Sequence, residues 1–588
     1  MEYKNEKRIC QNCKKDFTIE VEDFNFYEKM QVPPPTFCHL CRAQRRFAFR
    51  NERKLFRVKD AFTGQEIFST TPEQSGKKII TRDEWNSDTW DAVEYGVDYD
   101  FSKSFFKQLF ELDTKVPVFN FNVTRMVNSP YSFNATGLKN SYLIVNSNYS
   151  EDCMYGNAND YCKDCVDNSH IQRSERCYQS FWLSSCYQCH FTMMSADSRN
   201  LWFSRDCVGC NDCFGCVNLR KASYCIFNKQ YTKENYEKEI KKMNLDTYSG
   251  IEKAIKKARD FWYTQITKCH QGLKNLSSTG SYVTNCKNVN DSYLIRESEN
   301  MRYCQYMQVP GNKDCYDVSN WGEYTELCYE TIESGEYGYN NKFARNCWPA
   351  CRNIEYCMYL FSCTDCFGCV GLKKKQYCIL NKQYTKEEYE VLVPKIKKHM
   401  NEMPYIDSQS IIYKYGEFYP TELSPFGYNN TQAIQHFPMT EVEAKNKGYA
   451  WIEVELNKYI ITKKASDIPD SINDVTEQIL KEVLECGVCK KAYRILENEF
   501  LFYKKEKIPI PRMCNDCRHE RRISDRLKIN LYERSCMCAG VSDQTNKYKN
   551  SISHAHKDSP CDETFKTGYA PDRPEIVYCE KCYQQEVY

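Results

Sequence analysis

Cysteine pairs stand at both ends of this chain where metal chemistry needs them. Cys10 and Cys13, then Cys38 and Cys41, recur as Cys486 and Cys489, then Cys514 and Cys517, at a constant offset of 476 residues. In each copy a C-x-x-C pair is followed after 24 residues by a second one, with the same F-x-F-Y-x-K-x-x-(V/I)-P-x-P segment between them. Two thiolate pairs at this spacing can close a tetrahedral zinc site, each pair forming a tight turn whose sulfurs point the same way. Disulfides are the competing use. With 36 cysteines in 588 residues, the chain is too long and too dilute in cysteine for a disulfide scaffold, and it shows no apolar leader, so a cytoplasmic, metal-using protein is expected.

The C-terminal copy continues into a further cluster of Cys536, Cys538, His554, His556, Cys561, Cys579 and Cys582. Seven candidate ligands exceed the four of a structural site. Cys536, Cys538, Cys579 and Cys582 make the simplest set, by analogy to a zinc ribbon, with Cys561 and the two histidines as alternates. In the N-terminal copy Asp60 and Phe62 stand where Cys536 and Cys538 do, and Thr81 and Glu84 replace the final pair. That copy has lost its second metal, so about three Zn2+ per chain are expected. A site that can be lost while its surroundings survive reads as structural rather than catalytic.

A basic helix is expected after each second pair. Arg42, Arg45, Arg46 and Arg50 match Arg518, Arg521, Arg522 and Arg526, and their spacing puts the guanidinium groups along one helix side. A knuckle, a hairpin-length segment and a knuckle that opens a helix resemble a treble-clef zinc finger. The arginine-bearing helix is similar to those of zinc-binding ribosomal proteins, where the basic side meets RNA phosphate. These eight arginines are therefore candidate nucleic-acid contacts, with RNA or a ribonucleoprotein as the implied partner. The alternatives are a solvated basic face, or pairing to acidic residues elsewhere in the chain. Near-neutral charge, 81 Lys and Arg against 79 Asp and Glu, withholds the global field that a polyanion binder usually shows. The chain as a whole resembles uncharacterised cysteine-rich zinc-finger proteins of bacteria.

The elements that position these ends carry a repeat. From Ser141 the sequence falls into rows of twelve, with Cys153, Cys165, Cys177, Cys189, Cys213 and Cys225 in the first column. Twelve residues cannot hold a helix pair but can hold one rung of a β-solenoid, whose equivalent residues stack about 4.8 Å apart. Cys and Ser suit so narrow a core, and packed thiols are the favoured reading. Added zinc sites at Cys162/Cys165, Cys186/Cys189 or Cys207/Cys210/Cys213/Cys216, and disulfides, are the alternatives. Asp152, Asp164 and Asp212 share a column that reads as a turn, not as an acidic catalytic row. The block recurs: CFGCVNLRKASYCIFNKQYTKENYE over 213–237 matches CFGCVGLKKKQYCILNKQYTKEEYE over 366–390. Thr232 and Thr385 start helices that cover the coil ends.

The expected organisation is mainly β with some α: an N-terminal zinc finger (1–95), a first solenoid block (96–240), a helical spacer (241–279), a second block (280–400), an irregular region (401–475) and a C-terminal double zinc finger (476–588). A β segment is expected at YAWIEVELNKYIIT and a helix at DSINDVTEQILKEVLE. No HExxH, G-x-x-x-x-G-K-[ST] or G-x-S-x-G occurs, so an enzyme lacks its constellation. A zinc-stabilised binding or scaffold protein is the leading function, contacting RNA, a ribosome-like assembly or protein partners. A carbohydrate-active β-solenoid and a thiol-rich metal buffer or redox sensor are the alternatives. No apolar run is long enough to span a membrane.

Overall fold

The twelve-residue repeat resolves into four triplets per rung in the computed structural model, which describes residues 3–51, 53–453, 459–539, 550–557 and 559–588. In the triplet Lys163, Asp164, Cys165 the first residue forms parallel bridges to Glu151 and Glu175 on the adjoining rungs. The second turns the corner at φ 49°. The third is fully buried inside the coil. This order recurs through the first block, where four left-handed corners close each four-sided rung; in the second block some rungs lengthen to thirteen residues, as where Lys313 bridges to Glu326 and Glu326 to Tyr339. Asp152, Asp164 and Asp212 all sit at such corners, where a short polar side chain tolerates the left-handed region. Bulky corner residues are held there by the neighbouring rung: the Trp182 amide donates to the Ser169 carbonyl at 3.1 Å.

The inward residues answer a hydrogen-bonding problem. In each triplet the first two amides bond across rungs, as Val166 does to the Cys177 carbonyl and Asp167 to that of Met154. The inward residue's own N–H faces the coil interior and needs an acceptor there. Serine supplies it one rung away: the amides of Cys153, Cys186 and Cys207 donate to the hydroxyls of Ser141, Ser174 and Ser195 at 3.1–3.2 Å. Cysteine does likewise, since Asn228 N–H donates to Cys216 Sγ. The inward thiols spend their own protons on carbonyls two residues back and nine ahead, as Cys162 does on Asp160 and Ile171. All the cysteines are free. Small side chains that both accept and donate therefore recur at third positions, interspersed with apolar ones such as Ile144, Ile171, Leu183 and Leu201, a finer period than the twelve-residue one.

Two such coils lie side by side. Contacts between them pair Trp182 with Tyr282, His170 with Tyr306, and Asn146 through Arg50 with Glu333. One member of each pair falls in sequence as the other rises, so the coils run antiparallel. The helices Lys233–Lys241 and Lys386–Glu402 follow their coils, with Thr232 and Thr385 as N-caps and the full Thr385/Glu388 capping box. The spacer helix is Tyr248–Trp262.

The irregular region holds two corrections. DSINDVTEQILKEVLE forms the short 3-10 turns Ile472–Asp474 and Glu477–Lys481 instead of a helix, because Ile472 and Ile479 are drawn into the core beneath Phe500 and Tyr503. No strand occurs among the described residues of 449–462, where 454–458 lie outside them. No helix among the described residues is long and apolar enough to cross a membrane.

Candidate metal centres and the cleft between the coils

Each terminal knuckle grows from a hairpin. Glu6–Ile9 pairs with Asp16–Ile19, and Leu484–Glu485 with Ala492–Tyr493. Lys14 and Lys490 take left-handed φ values of 59° and 62°, closing each C-x-x-C turn through a bond to the carbonyl of Cys10 or Cys486. The second pair opens a helix whose N-cap is Cys38 or Cys514. The amides of Cys38 and Cys514 donate back to Cys10 and Cys486 Sγ at 3.3 Å.

These local features converge four sulfurs. In each of the sets Cys10, Cys13, Cys38, Cys41 and Cys486, Cys489, Cys514, Cys517, all Sγ atoms lie within 4.8 Å of one another. The Cys13–Cys38 and Cys489–Cys514 separations are 3.8 and 3.7 Å. A tetrahedron with metal–sulfur bonds of about 2.3 Å has edges of about 3.8 Å. Both sets can hold a metal ion. The expected four-cysteine sets at the two ends are therefore assembled as the sequence implied.

The third expected set is corrected. Cys561, not Cys538, joins Cys536, Cys579 and Cys582. Cys536 and Cys538 are only two residues apart, without the left-handed turn that folds the other knuckles. Instead the chain stays extended, and the 561–563 segment lies antiparallel beside it, with Cys561 N–H on the Cys538 carbonyl and Cys536 N–H on that of Glu563. Cys538 falls into a separate group with His554, His556 and Cys582. Spacing along one strand could not show this, because the deciding ligand arrives from across the hairpin.

The N-terminal counterpart keeps this architecture without metal ligands. Thr81 caps the helix Arg82–Asn86 as Cys579 caps Glu580–Val587. Where Cys536 Sγ accepts from the Cys579 amide, Asp60 Oδ2 accepts from the Thr81 amide at 3.0 Å. Glu84 completes a capping box with Thr81. A carboxylate and a hydroxyl thus stand, joined by hydrogen bonds, where the C-terminal copy gathers cysteines.

The arginine helices point inward, which overturns the expected phosphate contacts. Arg42 and Arg46 pair with Asp317 at 2.8 and 3.1 Å, Arg45 with Glu330 and Glu417 at 2.8 Å, and Arg50 with Glu333 at 2.6 Å. The C-terminal copy docks on the first coil in the same way. Arg518 pairs with Asp167 at 2.7 Å, and Arg522 donates to Ser169 Oγ at 3.0 Å, as Arg46 does to Ser319 Oγ. Arg526 donates to Tyr306 and Gln435, and half-buried Arg521 pairs with Glu252. Apart from Arg521, these guanidinium groups are buried. The module's basic side is a docking face for the protein's own solenoids.

The central cysteines have no such arrangement. Among the described residues, none belongs to a group of three or more metal ligands. Burial pushes the thiols of Cys286 to about 11 and of Cys304 and Cys347 to about 12, away from the thiolate that a metal needs, whereas the hydrogen bond from Cys207 draws Cys210 down to about 7.

A second feature lies where the coils meet. A cleft with about 790 Å³ of atom-free space, its open mouth included, is walled on one side by two columns of the first coil. Asn122, Asn134, Asn146 and His170 form one column, and Thr124, Thr136, Asn148 and Asp160 the other, each at twelve-residue intervals or a multiple. Tyr306, Gln308, Trp321, Glu333 and Trp348 face them from the second coil. Amide groups run up the wall: Asn134 donates to Asn146 at 3.2 Å, Asn146 to Asn157 at 2.9 Å and Asn148 to Asp160 at 3.1 Å. The Trp348 indole N–H is buried without a partner among the described residues. Asn146, Asn148, Asp160 and His170 fall within the rows that begin at Ser141, and the rest of the two columns appears when the rows are extended upstream. Nothing in the sequence placed the second wall opposite.

Burial is the largest influence on Asp160 and pushes its carboxyl up to about 6, against the Asn148 hydrogen bonds and the Arg296 charge, with Glu323 adding to the rise. An acid raised in this way favours the folded state most below its unfolded value near 4, and the advantage is lost as pH rises through about 6. Asp160→Asn keeps the acceptor for Asn148 and removes the charge of this half-buried side chain. It is expected to stabilise the protein at pH 8 by about 1–3 kcal/mol and to leave it unchanged near pH 3.5, as read by urea unfolding at the two pH values.

A scan against models of protein families gives no match, and a search of curated proteins gives none either. The resemblance to zinc-finger proteins rests on the motifs themselves.

Proposed function

We propose that this protein is a zinc-locked β-solenoid scaffold whose working surface is the cleft between the coils, and that the cleft takes a small, uncharged, polyhydroxylated ligand of the saccharide type. The observation that carries this reading is the chemistry of the two walls. Amides, which donate and accept, stand on one side, and the aromatic rings of Trp321, Trp348 and Tyr306 on the other. Sugars present hydroxyls at their rims and apolar C–H faces between them, so a site that pairs a hydrogen-bonding wall with an aromatic wall matches both. Rigidity supports it: the amide column is fixed by rung-to-rung bonds, which lowers the ordering cost of binding.

Zinc is the metal of this reading because four thiolates in a tetrahedron favour a borderline-soft cation without geometric demands of its own. Its part is to fold the modules so that their arginines clamp both coils. RNA is not the partner proposed, since the helices that carried that expectation are turned inward.

The test is a panel of neutral and charged mono- and oligosaccharides, screened by thermal shift and measured by calorimetry. Binding of a neutral saccharide is expected, weakened at least tenfold by Trp348→Ala with the fold retained. Binding of none, or binding that Trp348→Ala and Asn148→Ala both leave unchanged, overturns the proposal.

A further inference from the structure

Seven side chains crowd the C-terminal corner in two groups that share one member. Cys536, Cys561, Cys579 and Cys582 form a four-sulfur group, and Cys538, His554, His556 and Cys582 a mixed one, with the ligand atoms of each within 4.8 Å of one another. Two four-coordinate ions need eight ligand positions. Seven side chains fill eight positions when one thiolate serves both ions, and Cys582 is the residue common to the two groups. From this geometry we infer that the corner is a dinuclear zinc centre bridged by the Cys582 sulfur, so that the chain carries four zinc ions.

The separations fit. A tetrahedral ion with bonds of about 2.3 Å to sulfur and about 2.0–2.1 Å to nitrogen has sulfur–nitrogen edges near 3.6 Å. Cys538 Sγ lies 3.4 Å from His554 Nδ1 and 3.2 Å from His556 Nε2, and Cys582 Sγ lies 3.4 Å from the same His556 nitrogen. On the four-sulfur side Cys561 Sγ is 4.0 Å from Cys579 Sγ.

The outer partners of the two imidazoles are an independent sign. His556 Nδ1 lies 2.7 Å from the Ser559 carbonyl, which can only accept, so Nδ1 carries the proton and Nε2 presents a lone pair toward the sulfurs. His554 is turned the other way round. Its Nε2 lies 3.0 Å from Glu586 Oε1, leaving Nδ1 for the metal. A ligating histidine characteristically gives its second N–H to a carbonyl or carboxylate, which fixes the tautomer and ring orientation. Here two histidines use different nitrogens, and each choice is the one its outer partner dictates. Asn550 donates to Cys538 Sγ at 3.0 Å and is itself held by the Tyr578 hydroxyl.

Charge gives the bridge a reason. Five thiolates against two divalent ions leave one net negative charge, and Cys579 and Cys582 stand at the cap and first turn of the helix Glu580–Val587, where the helix dipole favours it. The shared thiolate lets one corner close two loops with one fewer buried charge than two separate four-ligand sites with the same histidines would need.

The inference rests on the zinc part of the proposed function, and metal counting separates the two. Native mass spectrometry of the full chain is expected to show four zinc ions. His554→Ala combined with His556→Ala is expected to leave three. Cadmium-113 substitution of the unaltered chain is expected to give two C-terminal resonances, one of four-sulfur and one of two-sulfur, two-nitrogen character, split by coupling through Cys582 Sγ. That measurement stands even if the double variant does not fold. Three zinc ions in the unaltered chain, or four cadmium resonances with no mutual coupling, overturn the bridge alone. A chain that takes up no divalent metal overturns both readings.

Discussion

Asp317→Ala is expected to cost about 3–5 kcal/mol in urea unfolding, and Asp167→Ala less. Asp317 is completely buried and receives both Arg42 and Arg46, which are themselves at most 2% exposed. Removing it strands two guanidinium groups that cannot reach water. Glu330 stands near enough to take part of the load, at 3.1 Å from Arg46 and 3.8 Å from Arg42, but it already pairs with Arg45. Asp167 lies beneath Arg518 and Arg522 at 2.7 and 3.8 Å, with Glu499 also pairing with Arg518 at 3.1 Å. An exposed pair of similar geometry, Lys139 with Glu151, is the control: breaking it is expected to leave the midpoint unchanged. An Asp317→Ala protein with unaltered stability would mean that the arginine helix does not dock as described. Charge reversal of Arg45, Arg46, Arg521 and Arg522, the natural test for phosphate contact, would unfold the modules and report nothing about RNA.

Cys38→Ser is expected to remove one metal ion per chain and to unfold the N-terminal module, with Cys514→Ser doing the same at the other end. Structural zinc contributes apparent folding free energies of about 10–16 kcal/mol in isolated zinc-finger peptides, as much as the whole net stability of an ordinary domain. Cys38 is both a ligand and the N-cap of the helix that carries Arg42, Arg45 and Arg46. Loss of the metal therefore also strips Asp317 and Glu330 of their partners. Two consequences follow for measurement. Chelator treatment should lower the melting temperature in a metal-dependent, reversible manner, with far-UV dichroism of the coils outlasting that of the helices. The effects of Cys38→Ser and Asp317→Ala should be far from additive, because both break one coupled unit. Additive effects would show that metal binding and docking are separate.

The solenoid was legible in outline because its physics is local. A rung of the first coil is twelve residues long, so each row meets the next at a fixed spacing, and the demand for small inward side chains writes cysteine and serine into columns. The three-residue period beneath it was also present, in pairs such as Cys162 with Cys165 and Cys207 with Cys210, but the pairs were open to a second reading as zinc ligands. The C-x-x-C spacing was legible for the same reason: a knuckle is closed within five residues, and the helix that follows is set by the cap.

What the sequence by itself determined is therefore the set of short-range units: two duplicated cysteine knuckles, two repeated coils, the capping helices, and an N-terminal corner without the cysteines of its C-terminal counterpart. Tertiary structure alone decided what the units do to one another. Arg42 and Asp317 are 275 residues apart in the chain, and no local signal distinguishes a guanidinium destined for an internal carboxylate from one destined for phosphate. The same holds for Cys561, which joins the four-sulfur group from the opposite strand in place of Cys538, and for Trp348, which faces the asparagine column across the cleft between the coils. Local hydrogen bonding and thiol spacing are encoded within a turn or a rung. Charge pairing, ligand partition and the cleft depend on which surfaces are brought together when the chain folds back on itself.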